Sequence, residues 1–415
     1  MGLFRFVYRA ARYAFSGGPV YLTWLGFLAI LAVWGLTGYV YQLHHGLIAT
    51  HMRDQVSWGF YIGNFTFLVG VAAAAVILVI PAYVYDWKPI KEVAILGEIL
   101  AISALIMCML FVCCDIGRPD RIWHLIPYIG RLHWPSSMLS WDVLWLNSYF
   151  FLNVFIVSYM LYCSYHKVHY NKKLIYPLVI LSIPAAIGIH TVTAFIYMGM
   201  CSRPFWTDSI LAPRFIASAL CSGPAILLVL FQLLKRTTSF DIKDEALWKI
   251  AEIMAYAMGI NLLLSGAEIF KEMYDHTQNE MFFNYLYVGI RNHHALVPFG
   301  WASLICSVAA FILFIIPATR RNPITLNLGC LLIYSGVYIE KGMGLVIPGM
   351  TPDTLGEIYE YTPTITELKI GVAIMAIGFI VYSLLTRVAV GILLGDLTVD
   401  GETADGTSKV SVPAH

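Results

Sequence analysis

Long apolar runs separated by short polar connections dominate the chain, and they set its architecture. A helix needs about 20 apolar residues to cross a bilayer. Ten segments meet that length, at 20–43, 57–84, 93–114, 140–165, 174–200, 210–234, 247–270, 295–317, 324–347 and 369–394. Strands of a membrane barrel would alternate apolar and polar positions, and these runs do not. The pattern therefore predicts an all-α integral membrane protein with about ten transmembrane helices. Three regions follow: an amphipathic interfacial segment over 1–19, a membrane domain over 20–394 and a polar tail over 395–415. In the first region Arg5, Arg9 and Arg12 share one helical face, with Phe4, Val7, Tyr8 and Phe15 largely opposite. That arrangement suits a helix lying in the headgroup layer.

Composition agrees. Of 415 residues, 59% are hydrophobic and 12% charged, about half the charged fraction of soluble domains. A net charge of +1 gives no reason to expect a nucleic-acid partner. The eight cysteines lie mostly in apolar runs and form no CxxC pair. No iron–sulfur cluster or zinc site is expected of this chain alone.

Ten spans put both termini on one side. Of 26 Lys and Arg, 16 fall on that side, including Arg5, Arg9, Arg12, Lys172, Lys173, Arg320 and Arg321, nine fall opposite and Lys341 lies within a span. The positive-inside rule places both termini in the cytoplasm, with the chain in the cytoplasmic membrane. The opposite, extracytoplasmic loops are long (44–56, 115–139, 201–209, 271–294 and 348–368) and predict a cap, the natural place for function or a docked partner.

An ionisable group near the bilayer centre costs about 2.5–3.5 kcal/mol on insertion scales, so each needs a reason. Glu340 and Lys341 lie roughly 10 Å inside the outer end of the ninth run. Adjacent residues diverge by about 100° on a helix, so each must find a partner elsewhere. An interhelical salt bridge is the plainer reading, a functional pocket the sharper one. His190 sits in mid-span and reads either as a satisfied hydrogen-bonding residue or as a site group. The other His residues fall in loops, at span ends or in the tail, which leaves no facing pair for a haem b. Asp115, Asp142 and Glu268 share the outer half with Glu340. Arg118 and Arg121 in the turn after Asp115 are close enough to neutralise the first two, so a turn held by ion pairs competes with a polar pocket. Glu98 and Glu252, toward the other side, are either interfacial carboxylates or a proton path, and Lys249 can pair with Glu252.

Several stretches carry a resemblance: WGFYIGNFTFLVGVAAAA at 58–75, DIGRPDR at 115–121, PSSMLSWD at 135–142 and IHTVTAF at 189–195. They continue with APRFIASALCSGPAI at 212–226, GAEIFKEMY at 266–274, YIEKGMGLVIPG at 338–349 and YTPTITELKIG at 361–371. In this order they resemble the NrfD/PsrC (polysulfide reductase membrane subunit) family, in its ten-helix branch. His190 with Thr191–Phe195, then CSRPFW at 201–206, looks most like the DsrP subunits of DsrMKJOP complexes. Alternative complex III subunits tend to carry an aspartate shortly after that histidine. None stands here, so no such proton role carries over.

The resemblance implies two four-helix bundles plus flanking helices, a quinone site near the outer face and no redox metal in this chain. It implies a docked extracytoplasmic ferredoxin-like iron–sulfur subunit, together with a cytochrome and further membrane subunits. By the same match the pocket falls to His190, Asp115, Arg118, Asp142 and Glu268, with Glu340, Tyr361 and Glu367 nearby. These would hydrogen-bond menaquinone or another quinone and exchange protons as electrons pass. An ion-coupled secondary transporter and a purely structural anchor are the competing readings. All site groups are expected around one apolar hollow beneath the extracytoplasmic surface.

Overall fold

The computed structural model describes residues 2–276, 279–353 and 355–399, without the side chain of residue 275. Apart from residues 395–399, the polar tail lies outside the described residues. Among them there is no β-strand. Ten helices are long and apolar enough to cross a membrane, each within a few residues of its expected run.

An amphipathic helix α1 (Gly2–Ala14) precedes the first span, α2 (Pro19–His45). The next four spans are α3 (Phe60–Val84), α4 (Ala94–Asp115), α5 (Met138–Tyr165) and α6 (Lys172–Met198). They pack around one another as a first bundle. The second bundle begins with α7 (Leu211–Thr237) and α8 (Asp244–Asp275). A short helix α9 (Glu280–Tyr287) in the cap leads to α10 (Val297–Ile315). The ninth span is two pieces, α11 (Pro323–Lys341) and α12 (Met343–Met350), and α13 (Ile365–Leu393) is the last. Helices α7, α8, α10 and α11 close the second bundle, while α2 and α13 pair and lean on α4. The architecture is thus two four-helix bundles with flanking helices.

Burial follows from this arrangement. The best windows of α3 and α4 are 78% buried while that of α2 is 17% buried, so the first pair forms the centre and α2 faces lipid. Small residues set the close crossings, because between helices in lipid it is packing rather than hydrophobicity that discriminates. A side chain at Gly35 of α2 would collide with the backbone of α13 at Lys369, and one at Gly223 would strike Ala74 of α3. The break in the ninth span falls at Gly342, with φ −84° and ψ −110°. Its backbone lies against Gly63 of α3.

Both described ends meet at one face. Arg9 donates to Val399 O at 3.0 Å and to the Tyr165 hydroxyl at 3.2 Å, and Phe6 packs edge-on against Tyr162 and Tyr165. The long loops gather at the other face as the expected cap. His51 bonds Thr362 O at 2.9 Å, Arg203 donates to Met350 O at 2.8 Å and His293 contacts Glu360 at 3.1 Å.

Candidate functional site

Direct contacts among the described residues divide the titratable groups that were expected around one hollow. They form three groups beneath the cap, two of them centred on the first bundle and its flanking helix and one in the second.

The second-bundle group is built around Arg214, one turn into α7. Its guanidinium bridges two carboxylates, Glu268 of α8 and Glu340 of α11, the latter at 2.7 Å. Glu340 also accepts from Asn261 at 3.1 Å and Ser265 at 3.0 Å, both on α8. Glu268 is buried, and Arg214 and Glu340 are nearly so. Glu340 has its partners on other helices, as adjacency to Lys341 demanded. A small cavity of about 30 Å³ lies against this cluster, walled by Phe205, Phe283, Leu286, Tyr287 and Leu345. Burial, then the charge of Glu340, pushes the Tyr287 phenol up to about 12, with Arg214 opposing. That hydroxyl therefore stays a donor at any ordinary pH.

The second group lies inside the first bundle. Asp142, at the start of α5, accepts from Thr193 of α6 at 2.8 Å. One turn further, the Tyr197 and Thr66 hydroxyls meet at 2.5 Å, and Tyr197 packs against Trp58 and Trp206. His190 is 1% exposed. Its Nδ1 lies 2.9 Å from Ala186 O, and its Nε2 is buried without a partner among the described residues.

The third group joins α13 to the cap. Tyr361 donates to Glu367, whose other oxygen accepts from the backbone of His51 at 3.0 Å and of Thr364 at 2.8 Å. Glu367 and Thr364 form a capping box at the start of α13. Burial, then Glu367, raises the Tyr361 phenol. Asp115, within electrostatic range of Glu367, has one buried oxygen with no partner among the described residues.

Arg118 belongs to none of the three. Its side chain is 66% exposed and grips Asp120 at 2.9 and 3.0 Å, and that bond holds the Asp120 carboxyl below its ordinary range. The expected neutralisation of Asp115 by Arg118 is therefore corrected: a bidentate fork two residues away satisfies the arginine first. Glu252 is tied to Lys249 at 3.5 Å, Arg320 at 3.7 Å and Tyr256 at 3.1 Å. Glu98, by contrast, is 1% exposed, and among the described residues neither oxygen has a partner.

Arg214, Asn261 and Ser265 were not singled out from the sequence. The signal was present: Arg214, Ser218, Cys221, Ser222 and Ala225 recur at helical spacing, a small polar stripe in an apolar run. No group of three or more His, Cys, Asp or Glu suited to a metal ion occurs among the described residues.

Comparison with known proteins gives this geometry a context. A protein of Halobacterium salinarum, provisionally named as a membrane subunit of dimethyl sulfoxide reductase, is 28% identical over 407 residues, covering 88% of this chain and 90% of that protein. A subunit of the selenate reductase of Mesobacillus selenatarsenatis is 25% identical, covering 88% of this chain and 92% of that one. The integral membrane subunit of menaquinone reductase from Nitratidesulfovibrio vulgaris is 23% identical, with 88% and 91% covered. Residues 49–351 match the family described as polysulphide reductase, NrfD. The match spans well over half of the sequence and both bundles, and the chain belongs to that family.

Proposed function

We propose that the protein is the quinone-reactive membrane subunit of a respiratory oxidoreductase, exchanging electrons between menaquinone or menaquinol and an iron–sulfur subunit docked on the cap. The observation that carries this is the buried set of Arg214, Glu268 and Glu340 beside the Tyr287 hydroxyl, beneath an aromatic wall. Quinol oxidation releases two electrons and two protons at one place. The ring calls for apolar walls, and its oxygens call for a donor and for acceptors that can change protonation. Tyr287 offers the donor and the two carboxylates offer acceptors. The names of the relatives support the same reading, since one is a menaquinone reductase subunit and two are reductase subunits.

In chemistry the donor set fits a quinone head group. In size it fits only when α9 moves: a cavity of about 30 Å³ holds a water or two, while ligand pockets run to roughly 300 Å³ and more. Phe283, Leu286 and Tyr287 all ride on this single short helix, so one outward shift opens the wall. His190, Asp142 and Asp115 serve as proton acceptors in the neighbouring bundle. Tyr361 and Glu367 hold the cap to α13. Electrons leave through the docked subunit, with a cytochrome and further membrane subunits completing the assembly. The stretches at 189–195 and 201–206 support a DsrP-like place in sulfur or sulfite metabolism. The basic-residue bias supports cytoplasmic termini in the cytoplasmic membrane, with α1 in its headgroup layer. Glu98, desolvated beside Tyr83 and Tyr149, is the better candidate for a proton path. Glu252 is held as part of an ion cluster.

The test is quinol-dependent reduction of the partner cluster in the purified native assembly. Glu268→Gln and His190→Asn should each lower it by about tenfold or more while all subunits still co-purify. Unchanged turnover in both would reject the reading. The broken ninth span favours a second one, an ion-coupled transporter, because interrupted helices line many transport paths. Substrate uptake by the reconstituted chain without redox partners would support that alternative.

A further inference from the structure

We infer that Lys341 is a proton-carrying residue at the seam between the two bundles, exchanging a proton with His190 through a water held at Ser222. The inference rests on an ammonium and an unmatched hydroxyl that border one gap, with an unmatched imidazole nitrogen on the neighbouring helix within electrostatic reach of the ammonium. Glu340 and Lys341 are adjacent but face different compartments: Glu340 turns to Arg214 and α8, while Lys341 turns to Phe215 of α7 and Gly70 of α3. Its ammonium donates to Phe215 O at 2.7 Å and lies 4.7 Å from the centre of the Phe215 ring. An ammonium carries three donors, and among the described residues only this one acceptor is met.

Across the seam, Gly70 of α3 supplies space. A side chain there would touch both Ser222 Oγ and Lys341 Nζ, so the bare glycine leaves a gap bordered by the two. Ser222 is fully buried, and among the described residues its hydroxyl has no partner. His190, on α6, lies within electrostatic reach of Lys341. Its Nδ1 faces a carbonyl, which can only accept, so Nδ1 carries the proton and the neutral ring presents a lone pair at Nε2. That Nε2 is buried and unpartnered among the described residues. A free ammonium donor, a hydroxyl able to donate and accept, and a free imidazole lone pair are the three parts of a relay, and a water has polar partners enough to bridge them.

The step is balanced. The ammonium of Lys341 passes one proton by way of the water and the Ser222 hydroxyl to His190 Nε2, leaving an amine and an imidazolium. The reverse step restores both, and no electron moves. The other charged or titratable groups within reach of Lys341 are Glu340 on its own helix and Arg214 and Cys221 on α7. Its part in turnover rests on the quinone reading, whereas its titration does not.

The experiment compares wild type, Lys341→Met, Lys341→Arg and Ser222→Ala in the intact assembly from about pH 6 to about pH 9. Two readouts are taken, quinol-dependent reduction of the partner and thermal midpoint. Lys341→Met should shift the pH profile of turnover by about one unit, with Ser222→Ala shifting it the same way by less. Lys341→Arg, which keeps the charge but cannot release the proton, should behave like Lys341→Met, and a wild-type profile in Lys341→Arg would make position 341 a fixed charge and overturn the inference. The difference in Tm between wild type and Lys341→Met should change across that pH range. A constant Tm difference together with a superimposable pH profile would make Lys341 a structural strut and overturn the inference. Should wild type show no quinol turnover, the functional reading fails, and the pH dependence of Tm still decides whether Lys341 carries a proton. If Lys341→Met does not fold, the pH profile and Tm of Ser222→Ala decide it instead, and no shift in either overturns the inference.

Discussion

At the scale of single residues, the second bundle depends on Arg214. Breaking a buried ion pair by removing one partner leaves an uncompensated charge and costs about 3–5 kcal/mol, whereas removing all the charges is often nearly neutral. Here one guanidinium serves two carboxylates. Arg214→Met should therefore destabilise the protein by about 3–5 kcal/mol in thermal unfolding in detergent. Adding Glu268→Gln and Glu340→Gln to that variant should recover most of the loss, and failure to recover would show that the arginine acts chiefly by packing. Both oxygens of Glu340 accept, from Arg214 and Ser265 on one side and Asn261 on the other, whereas Glu268 accepts from Arg214 through one oxygen, so Glu268→Gln should cost less than Glu340→Gln.

Single helices act as units here. Helix α9 brings two buried phenols to the cap: burial, then Glu360, raises Tyr285 to about 12, and burial, then Glu340, raises Tyr287 to about 12. A phenol whose folded value is raised contributes stability that is complete below its ordinary value of 10.0 and is lost as pH climbs toward about 12. The cap should loosen over that alkaline interval, and the double variant Tyr285→Phe/Tyr287→Phe should flatten the slope of tryptophan fluorescence against pH. Helix α1 has three sectors. Phe6 docks on the bundle, Arg9 is used by the backbone of Val399, and Phe4 and Tyr8 are exposed beside Arg5 and Arg12. Near an anionic surface each basic residue contributes about 1 kcal/mol. Arg5→Gln/Arg12→Gln should therefore remove most of the gain in Tm that anionic over zwitterionic vesicles give the wild type, and an undiminished gain would remove α1 from the lipid surface.

For the whole molecule, the two ends of the helix stack differ in kind. One end carries short basic connections and both described termini, and the other carries the cap with Cys201 exposed on it. A membrane-impermeant thiol reagent should label Cys201 from the extracytoplasmic side of sealed vesicles and not from the other, with Cys201→Ser as the control. Labelling from the cytoplasmic side would invert the proposed topology and move the docking face with it. The two bundles meet along α3, α6, α7 and α11. Residues on either side of that seam therefore come within electrostatic reach although they are far apart in the chain, as His190 and Lys341 do.

The sequence by itself determined the spans, because crossing a bilayer demands a length of apolar chain that can be read locally. It also determined that Glu340 and Lys341 would need partners elsewhere, since helical geometry sends neighbours apart. The identity of those partners was decided only by tertiary structure. Periodicity says which face of α7 is polar, but nothing local says that Arg214 will stand between two acids from α8 and α11. The groups expected around one hollow divide into three by direct contact for the same reason. Depth in the membrane can be inferred from position along one helix, while lateral distance depends on how the bundles pack. Arg118 shows the opposite failure: it lay near Asp115 in sequence, and Asp120, nearer still in space and at the right angle, took it.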